Sequence, residues 1–102
     1  MSAMVAPPSK QMFSVIVPTP LRSYTDGRAE VAVAVSVTAP RLADVLAALD
    51  VAYPGIRFRM VDETGRVRPH IQIFVNGAIE RNPAAMLQVG ARIMLVGALS
   101  GG

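Results

Sequence analysis

Apolar side chains recur in two short runs near the beginning of the chain, spaced like the strands of a hairpin. Residues 12–18 are rich in β-branched and apolar side chains and end at Pro18, and residues 29–37 place a valine at every second position. The connection between the runs contains Asp26 and Gly27, which together favour a tight turn. The pattern therefore predicts two antiparallel strands with a long connection.

The segment that follows has helical periodicity instead of alternation. Thr38 is predicted to cap a helix that has Pro40 in its first turn, and Pro54 and Gly55 end it. A helix with a single apolar stripe has to pack on another surface, and the sheet of the hairpin is the one available. The stripe has the spacing i, i+3, i+4, i+7 and consists of Leu42, Val45, Leu46 and Leu49.

The second half of the chain returns to strands after an irregular stretch. Residues 56–69 are charged and show no regular period, so they are predicted to be irregular, with a turn at residues 62–65. Alternating apolar residues in "HIQIFV" predict a strand, and Asn76-Gly77 is the favoured two-residue turn of a hairpin. A short return strand then begins in "AIER".

Residues 91–97 form the last predicted strand, so the order of elements is β-β-α-β-β-β. The right-handed crossover rule places the first and the last strand side by side in the middle of the sheet. The last strand would then lead directly into the segment "GALSGG" at the end of the sequence.

Composition limits the class of protein. The 102 residues fit one domain, and a hydrophobic fraction of 52% is too high for a disordered chain. No apolar run has the roughly 20 residues of a membrane span, and the first residues, "MSAMVAPPSKQ", lack the pattern of a signal peptide. Residues 1–11 are therefore expected to be a flexible leader. Cysteine is absent, which excludes disulfides and fits a cytoplasmic protein.

Charge and candidate nucleophiles indicate a binding protein rather than an enzyme. The net charge is +3, carried almost entirely by arginine, and no nucleic-acid-binding motif accompanies it. His70 is the only histidine, so it has no partner for a metal site, and no serine has the sequence context of a catalytic triad. Met86, Leu87 and Met94 are either core residues or an apolar patch for a partner.

Four arginines bracket the predicted turn at residues 62–65, and they have two interpretations. They form either a solvated rim or a docking patch for an acidic partner, which would mainly raise the association rate. These residues are Arg57, Arg59, Arg66 and Arg68.

Three stretches of the chain resemble the ubiquitin-like sulfur-carrier family, which includes the small subunit of molybdopterin synthase, the thiamine-pathway sulfur carrier and a carrier used in cysteine synthesis. They are "VIVPTPLRSYTDG", "YPGIRFRMVDETGRVRPHIQIFVNG" and the final "GALSGG", and they occur in the family's order from Met12 onward. Family members usually have an acidic turn before the last strand, whereas this chain reads "LQVGARIM" and keeps only Gly90.

The resemblance implies a fold and a reaction. The fold is the β-grasp, an α+β domain with a mixed sheet of four to five strands and one main helix, here over residues 12–97, followed by a flexible tail at residues 98–102. An E1-like enzyme uses ATP to adenylate the carboxylate of Gly102, sulfur displaces AMP, and a sulfur-accepting synthase uses the thiocarboxylate. Gly101 and Ser100 would thread into the partner's active site. The carrier itself binds no cofactor.

The resemblance also implies partner contacts near the last strand, where Arg92 and Met94 lie. Arg57, Arg59 and Arg68 are the other predicted docking residues. The partners would be proteins, with no nucleic acid and no membrane involved. The pathway that receives the sulfur stays open.

Two alternative functions remain at this point. The first is a ubiquitin-like modifier that is joined to lysines of target proteins through Gly102, because such a modifier shares the terminus and its activation. The second is a binding module that uses the arginine-rich loop, on nucleic acid for example. Binding of that kind would be sensitive to salt and indifferent to the glycine tail.

Overall fold

The computed structural model describes residues 10–97, which form a five-stranded mixed sheet with one main helix. This confirms the predicted α+β class and strand number. Among these residues no helix is long and apolar enough to cross a membrane. The strands are β1 Gln11–Ile16, β2 Glu30–Val35, β3 Ile71–Val75, β4 Ala78–Ile79 and β5 Arg92–Gly97, and the helices are α1 Leu42–Ala52 and α2 Arg57–Met60, with a 3₁₀ turn at Thr19–Leu21.

The strand order is β2-β1-β5-β3-β4, so the first and last strands lie side by side in the centre as predicted. β1 and β5 are parallel, whereas β1 and β2 form an antiparallel hairpin and β3 pairs antiparallel with β4 and β5. β1 and β2 are shorter than the predicted runs, and β1 already begins at Gln11, a residue assigned above to the leader.

The core lies between α1 and one face of the sheet. The four residues of the predicted helical stripe are all buried, as are alternate residues of β1, β2 and β5. Burial of this apolar surface contributes most of the stability, at about 25 cal/mol for each Å² removed from water. No helix within residues 10–97 covers the opposite face of the sheet, and its side chains are partly or fully exposed.

The start of α1 differs from the prediction, because Thr38 does not cap it. The helix begins at Leu42, after Arg41, whose backbone N–H donates to the Asp44 carboxylate at 2.7 Å. The first helical N–H groups have no partner inside a helix. Here the segment at residues 83–87 provides the acceptors. The Leu42 N–H donates to the Ala85 carbonyl at 2.9 Å, and the Ala43 N–H donates to the Pro83 carbonyl at 2.8 Å.

Residues 56–69 are more ordered than the sequence pattern indicates. They contain α2 and an isolated bridge between Val61 and Val67, which closes the turn at residues 62–65. Four apolar residues of this stretch are part of the core: Ile56, Met60, Val61 and Val67. A four-residue helix is too short to produce a readable period, which is why the pattern missed it.

Two turns that the sequence predicts are confirmed by positive φ angles in the structure. Asp26 and Gly27 have φ of 54° and 81°, and Asn76 and Gly77 have φ of 50° and 86°. These angles favour glycine and asparagine because other side chains clash there. The Asn76 side-chain oxygen also accepts from the Arg92 N–H at 2.9 Å, which ties the β3–β4 turn to the start of β5.

Candidate functional site

The residues predicted to react, Gly102, Gly101 and Ser100, lie outside the described residues. The structure does show where the chain departs towards them. Gly97 ends β5 and pairs with Ile71 at the start of β3, while β1 lies parallel on the other side of β5. β1 pairs with β5 as far as Met94 and β3 pairs with it up to Gly97, so the chain continues towards residues 98–102 from the β3-paired end of a central strand.

A cavity of about 310 Å³ opens beside Gly97, where β1 ends and β3 begins. One part of its wall is apolar, formed by Pro18, Pro20 and Leu21. The rest of the wall is polar and includes Tyr24, Arg59 and His70.

A second cavity of about 470 Å³ shares Tyr24, Arg59 and His70 with the first. It extends away from Gly97 past Gly55 to Phe58 and Arg68. The shared residues join the two cavities into one surface at this end of the sheet. We call it the arginine groove and define it by Tyr24, Phe58, Arg59, Arg68 and His70.

Both arginines of the groove are held in place through Nε. Arg59 Nε donates to the Tyr24 hydroxyl at 2.6 Å, and its guanidinium lies 5.8 Å from the centroid of that ring. Arg68 Nε donates to the Phe58 carbonyl at 2.8 Å, and its guanidinium lies 5.3 Å from the Phe58 ring. The hydrogen bond with the Tyr24 hydroxyl raises the pKa of Arg59, so its positive charge persists at any physiological pH.

The open face of the sheet forms the second candidate surface. Met94 of β5 pairs with Ile16 of β1 and with Phe74 of β3, and paired residues point to the same face. Apolar side chains therefore continue across four strands on the side away from α1. We call this surface the sheet patch; it comprises Met12, Ile16, Phe74, Ile79, Met94 and Val96.

The predicted docking residues fall on different surfaces. Arg92 and Met94 line a depression of about 570 Å³ on the open sheet face, together with Phe74, whereas Arg59 and Arg68 lie in the arginine groove. Arg57 lines neither surface but an adjoining cavity with Asp50, Asp62 and Glu63, which shares Gly55 and Phe58 with the groove. Arg57 and Arg59 diverge since residues two apart on a helix point about 200° apart.

The sequence pattern did not indicate the aromatic half of the groove or the place of His70 in it. Tyr24 and Arg59 are 35 residues apart, and no local pattern links them. The open sheet face also contains Met12 and Ile79. Alternation along β1 could have indicated that Met12 faces away from the core, whereas β4 has only two residues and shows no alternation. Three residues were left open between the core and an apolar patch. Met86 is 63% exposed and Met94 is 39% exposed, whereas Leu87 packs partly against the core.

Within residues 10–97, no three histidine, aspartate or glutamate side chains lie close enough together to hold a metal ion. His70 lines the arginine groove without a carboxylate beside it. The arrangement is therefore suited to binding through arginine, aromatic and apolar side chains.

The turn at residues 62–65 is organised by the Asp62 carboxylate. Its Oδ1 accepts from the Thr64 hydroxyl at 2.6 Å, the Thr64 N–H at 2.9 Å and the Arg66 N–H at 3.1 Å. These hydrogen bonds, led by that of the Thr64 hydroxyl, hold the pKa of Asp62 below its ordinary value of 3.8. The ionised carboxylate thus stabilises the turn above that pH, and the contribution is lost as the pH falls through the lower pKa of the folded chain.

Replacing Thr64 with valine is expected to raise the pKa of Asp62 towards 3.8, because the strongest donor to the carboxylate is removed while the two backbone donors stay. An NMR titration of the Asp62 carboxyl carbon measures this. The matched control is Thr38→Val, the same change at an exposed residue. An Asp62 pKa that is equal in wild type and Thr64→Val would contradict this account of the turn.

Comparison with known proteins finds similarity at the level of structure. No protein-family model matches the chain, and no curated protein matches it. A chain in the crystal structure of the Amycolatopsis orientalis BexX/CysO complex is 24% identical with a TM-score of 0.76, covering 88% of this chain and 99% of that one. Mycobacterium tuberculosis CysO is 26% identical with a TM-score of 0.72, covering 85% and 99%.

SAMP1 from Haloferax volcanii is 24% identical with a TM-score of 0.76, covering 89% of this chain and 99% of that one. The matches therefore extend over nearly the whole length of these small proteins. The chain has the β-grasp, ubiquitin-like fold, and these neighbours support the resemblance to the ubiquitin-like sulfur-carrier family that its sequence motifs indicate.

Proposed function

We propose that this chain is a sulfur carrier that accepts sulfur at the carboxylate of Gly102. A carboxylate oxygen attacks the α-phosphorus of ATP in the active site of an E1-like enzyme, and pyrophosphate leaves. A sulfide sulfur then attacks the carbonyl carbon of the acyl adenylate, and AMP leaves; if the attacking sulfur belongs to a persulfide, a second thiol of the sulfur-donating enzyme cleaves the resulting acyl disulfide and forms a disulfide with the donor's sulfur. The resulting thiocarboxylate gives its sulfur to an acceptor enzyme. The chain is thus a substrate rather than a catalyst.

One observation carries this proposal: the central strand β5 ends at Gly97, directly before the segment that closes on Gly101 and Gly102. A central strand that is paired with β1 as far as Met94 and with β3 up to Gly97 is a firm base for a segment that has to enter another protein's active site. A carboxylate is ionised at neutral pH and is a poor electrophile, so it needs activation by ATP. Glycine has no Cβ, which suits a narrow channel.

The partners in this proposal are the activating enzyme, which supplies the ATP site, and the acceptor enzyme, both in the cytoplasm. One structural neighbour is a chain of a BexX/CysO complex, which supports a function through association with a partner protein. The sheet patch is the docking surface we propose for the activating enzyme. Exposed apolar patches of this kind commonly mark protein interaction sites.

The test is the intact mass of the purified chain before and after incubation with ATP, a sulfide source and an E1-like enzyme that is active on its own carrier. The expected result is a mass gain equal to one oxygen replaced by sulfur, located in the C-terminal peptide. If several such enzymes produce no gain, the sulfur-carrier proposal is wrong.

Met94→Asp is expected to weaken association with the activating enzyme by about tenfold or more, because it places a charge in the middle of the sheet patch. Titration calorimetry with that enzyme measures the change. Met86→Asp is the matched control, since Met86 is exposed but lies in a loop beside Arg41, outside the patch. Equal weakening by both variants would show that the patch is not the docking surface.

A second candidate function, a protein modifier, is favoured by the likeness to a small archaeal modifier protein 1 structure, which is 22% identical with a TM-score of 0.71. In that case the adenylated Gly102 would form an amide with lysines of target proteins. The test is an immunoblot for covalent high-mass adducts in lysate. Adducts that disappear when Gly101 and Gly102 are deleted would favour the modifier, and their absence would count against it.

A further inference from the structure

We propose that the arginine groove binds an acidic, extended segment of the protein that acts on Gly102. This deepens the proposed function and rests on it for the identity of the partner. The groove is separate from the sheet patch, so the chain would contact its partner through two surfaces of different chemistry. Three features of the groove favour such a ligand: its charge, the way the two arginines are held, and its position.

Charge is the first step. No aspartate or glutamate lines either cavity of the groove, whereas Arg59 and Arg68 both line it. The acidic residues of the same region, Asp50, Asp62 and Glu63, line an adjoining cavity with Arg57, and that cavity shares Gly55 and Phe58 with the groove. The Asp62 charge interacts with Arg68 from there. The lining of the groove itself carries two arginines and no carboxylate, which is complementary to an acidic ligand.

The second step is the orientation of the guanidinium groups. Both arginines use Nε for the hydrogen bonds to Tyr24 and Phe58, and within residues 10–97 their terminal nitrogens donate to no other residue. Terminal guanidinium nitrogens bind carboxylates in a planar, often bidentate arrangement. Since stacking on the rings already restricts these side chains, less entropy is lost when a carboxylate binds.

The aromatic rings favour a peptide over a nucleic acid. Arg59 lies against the Tyr24 ring, and Gly55 lies so close to it that a Cβ there would come within 3.1 Å of Tyr24 Cε1. Phe58 is 59% exposed but has Arg68 over its ring. Single-stranded nucleic acids bind chiefly by stacking bases on open aromatic faces. Here the chain's own residues contact those rings, and the guanidinium groups remain for ionic contacts.

Position is the last step. One of the two cavities of the groove opens beside Gly97, and its apolar wall is formed by Pro18, Pro20 and Leu21. A protein that takes residues 98–102 into its active site has to approach this end of the sheet. An extended segment with carboxylates for Arg59 and Arg68 and apolar side chains for the proline wall would fit along it.

The first experiment uses a fluorescein-labelled hexapeptide of alternating glutamate and leucine as the probe, with fluorescence anisotropy at low salt. The double variant Arg59→Gln/Arg68→Gln is expected to weaken binding about tenfold, as loss of about 1.4 kcal/mol would do. The matched control, Arg28→Gln/Arg66→Gln, removes the same charge from exposed arginines outside the groove and is expected to bind like wild type. Added salt should weaken wild-type binding.

Several results would overturn the proposal. Equal weakening by the two double variants would show that net charge, not the groove, binds the peptide. Binding of wild type to an alternating glutamine and leucine peptide with the same affinity would exclude carboxylate recognition. Tighter binding of a single-stranded oligonucleotide that is lost in the groove variant would assign the groove to nucleic acid. Thermal unfolding of each variant shows whether a loss of binding is a loss of fold. If the double glutamine variant does not fold, Arg59→Lys/Arg68→Lys takes its place, because lysine keeps the positive charge.

The second experiment links the groove to the activating enzyme. The groove variant is expected to raise the KM for ATP-dependent sulfur gain about tenfold and to leave kcat unchanged, because the groove contributes binding and not chemistry. An unchanged KM, with wild type activated normally, overturns the groove as a docking site and leaves the proposed function intact. If wild type gains no sulfur but the groove variant still loses the peptide, the proposed function fails and acidic-peptide binding by the groove stands.

Discussion

Replacement of Gly102 with alanine is expected to abolish the ATP-dependent gain of sulfur, or to slow it by at least about 100-fold, without lowering the stability of the fold. In the proposed reaction the reacting carbon belongs to this residue, and a displacement of about 1 Å in the attacking geometry costs about 100-fold in rate. A Cβ at this position would push the carboxylate away from the α-phosphorus in a channel shaped for bare backbone. An added residue after Gly102 is expected to have the same effect, because the carboxylate is then carried by another residue.

The measurement is the rate of mass gain in the intact chain, with thermal unfolding recorded for each variant. Gly97→Ala is the matched control, since a Cβ there would lie 3.9 Å from Ile71 Cδ1, an ordinary van der Waals contact. We expect it to fold and to be activated like wild type. Normal activation of Gly102→Ala would remove the terminal carboxylate from the reaction and with it the sulfur-carrier proposal.

The second large effect is expected on stability, where Ile93→Ala should lower the free energy of unfolding by about 3 kcal/mol. Ile93 lies in the central strand β5 with 0% of its surface exposed, and it pairs with Val15 of β1 and Val75 of β3. Truncation there leaves a cavity that two neighbouring strands and α1 cannot fill by small movements. Since a domain of this size is stable by only about 5–15 kcal/mol, the loss is a large fraction of the total.

Met94→Ala, one residue further along β5, is the control for this effect. Met94 is 39% exposed on the face away from α1, so its truncation should change stability by less than about 0.5 kcal/mol. Urea unfolding of both variants measures the difference, with the slope of the transition expected to stay constant. Similar losses for the two variants would show that both faces of β5 are packed, contrary to the structure.

Local sequence patterns predicted an element correctly wherever its formation depends on residues that are close together in the chain. Alternation along residues 29–37 indicated which face of β2 is buried, and positive φ at Asn76 and Gly77 confirmed a turn that only a few residue types adopt. The helical stripe of α1 was equally clear. The start of α1 was not, because its first N–H groups are satisfied by carbonyls of Pro83 and Ala85, some 40 residues away, and not by a capping side chain nearby.

For the candidate sites, too, one part could be predicted from the sequence and another part could not. The sequence by itself determined the β-β-α-β-β-β order of the main elements, the central position of the last strand and the presence of two glycines after it, since periodicity, turn residues and chain order are local properties. Only the tertiary structure decided that Arg59 joins Tyr24 and His70 in a groove while Arg57 does not, and that apolar residues of four strands form one patch. Such surfaces arise because folding brings together side chains that are distant in the chain, and no pattern along a single segment records that contact.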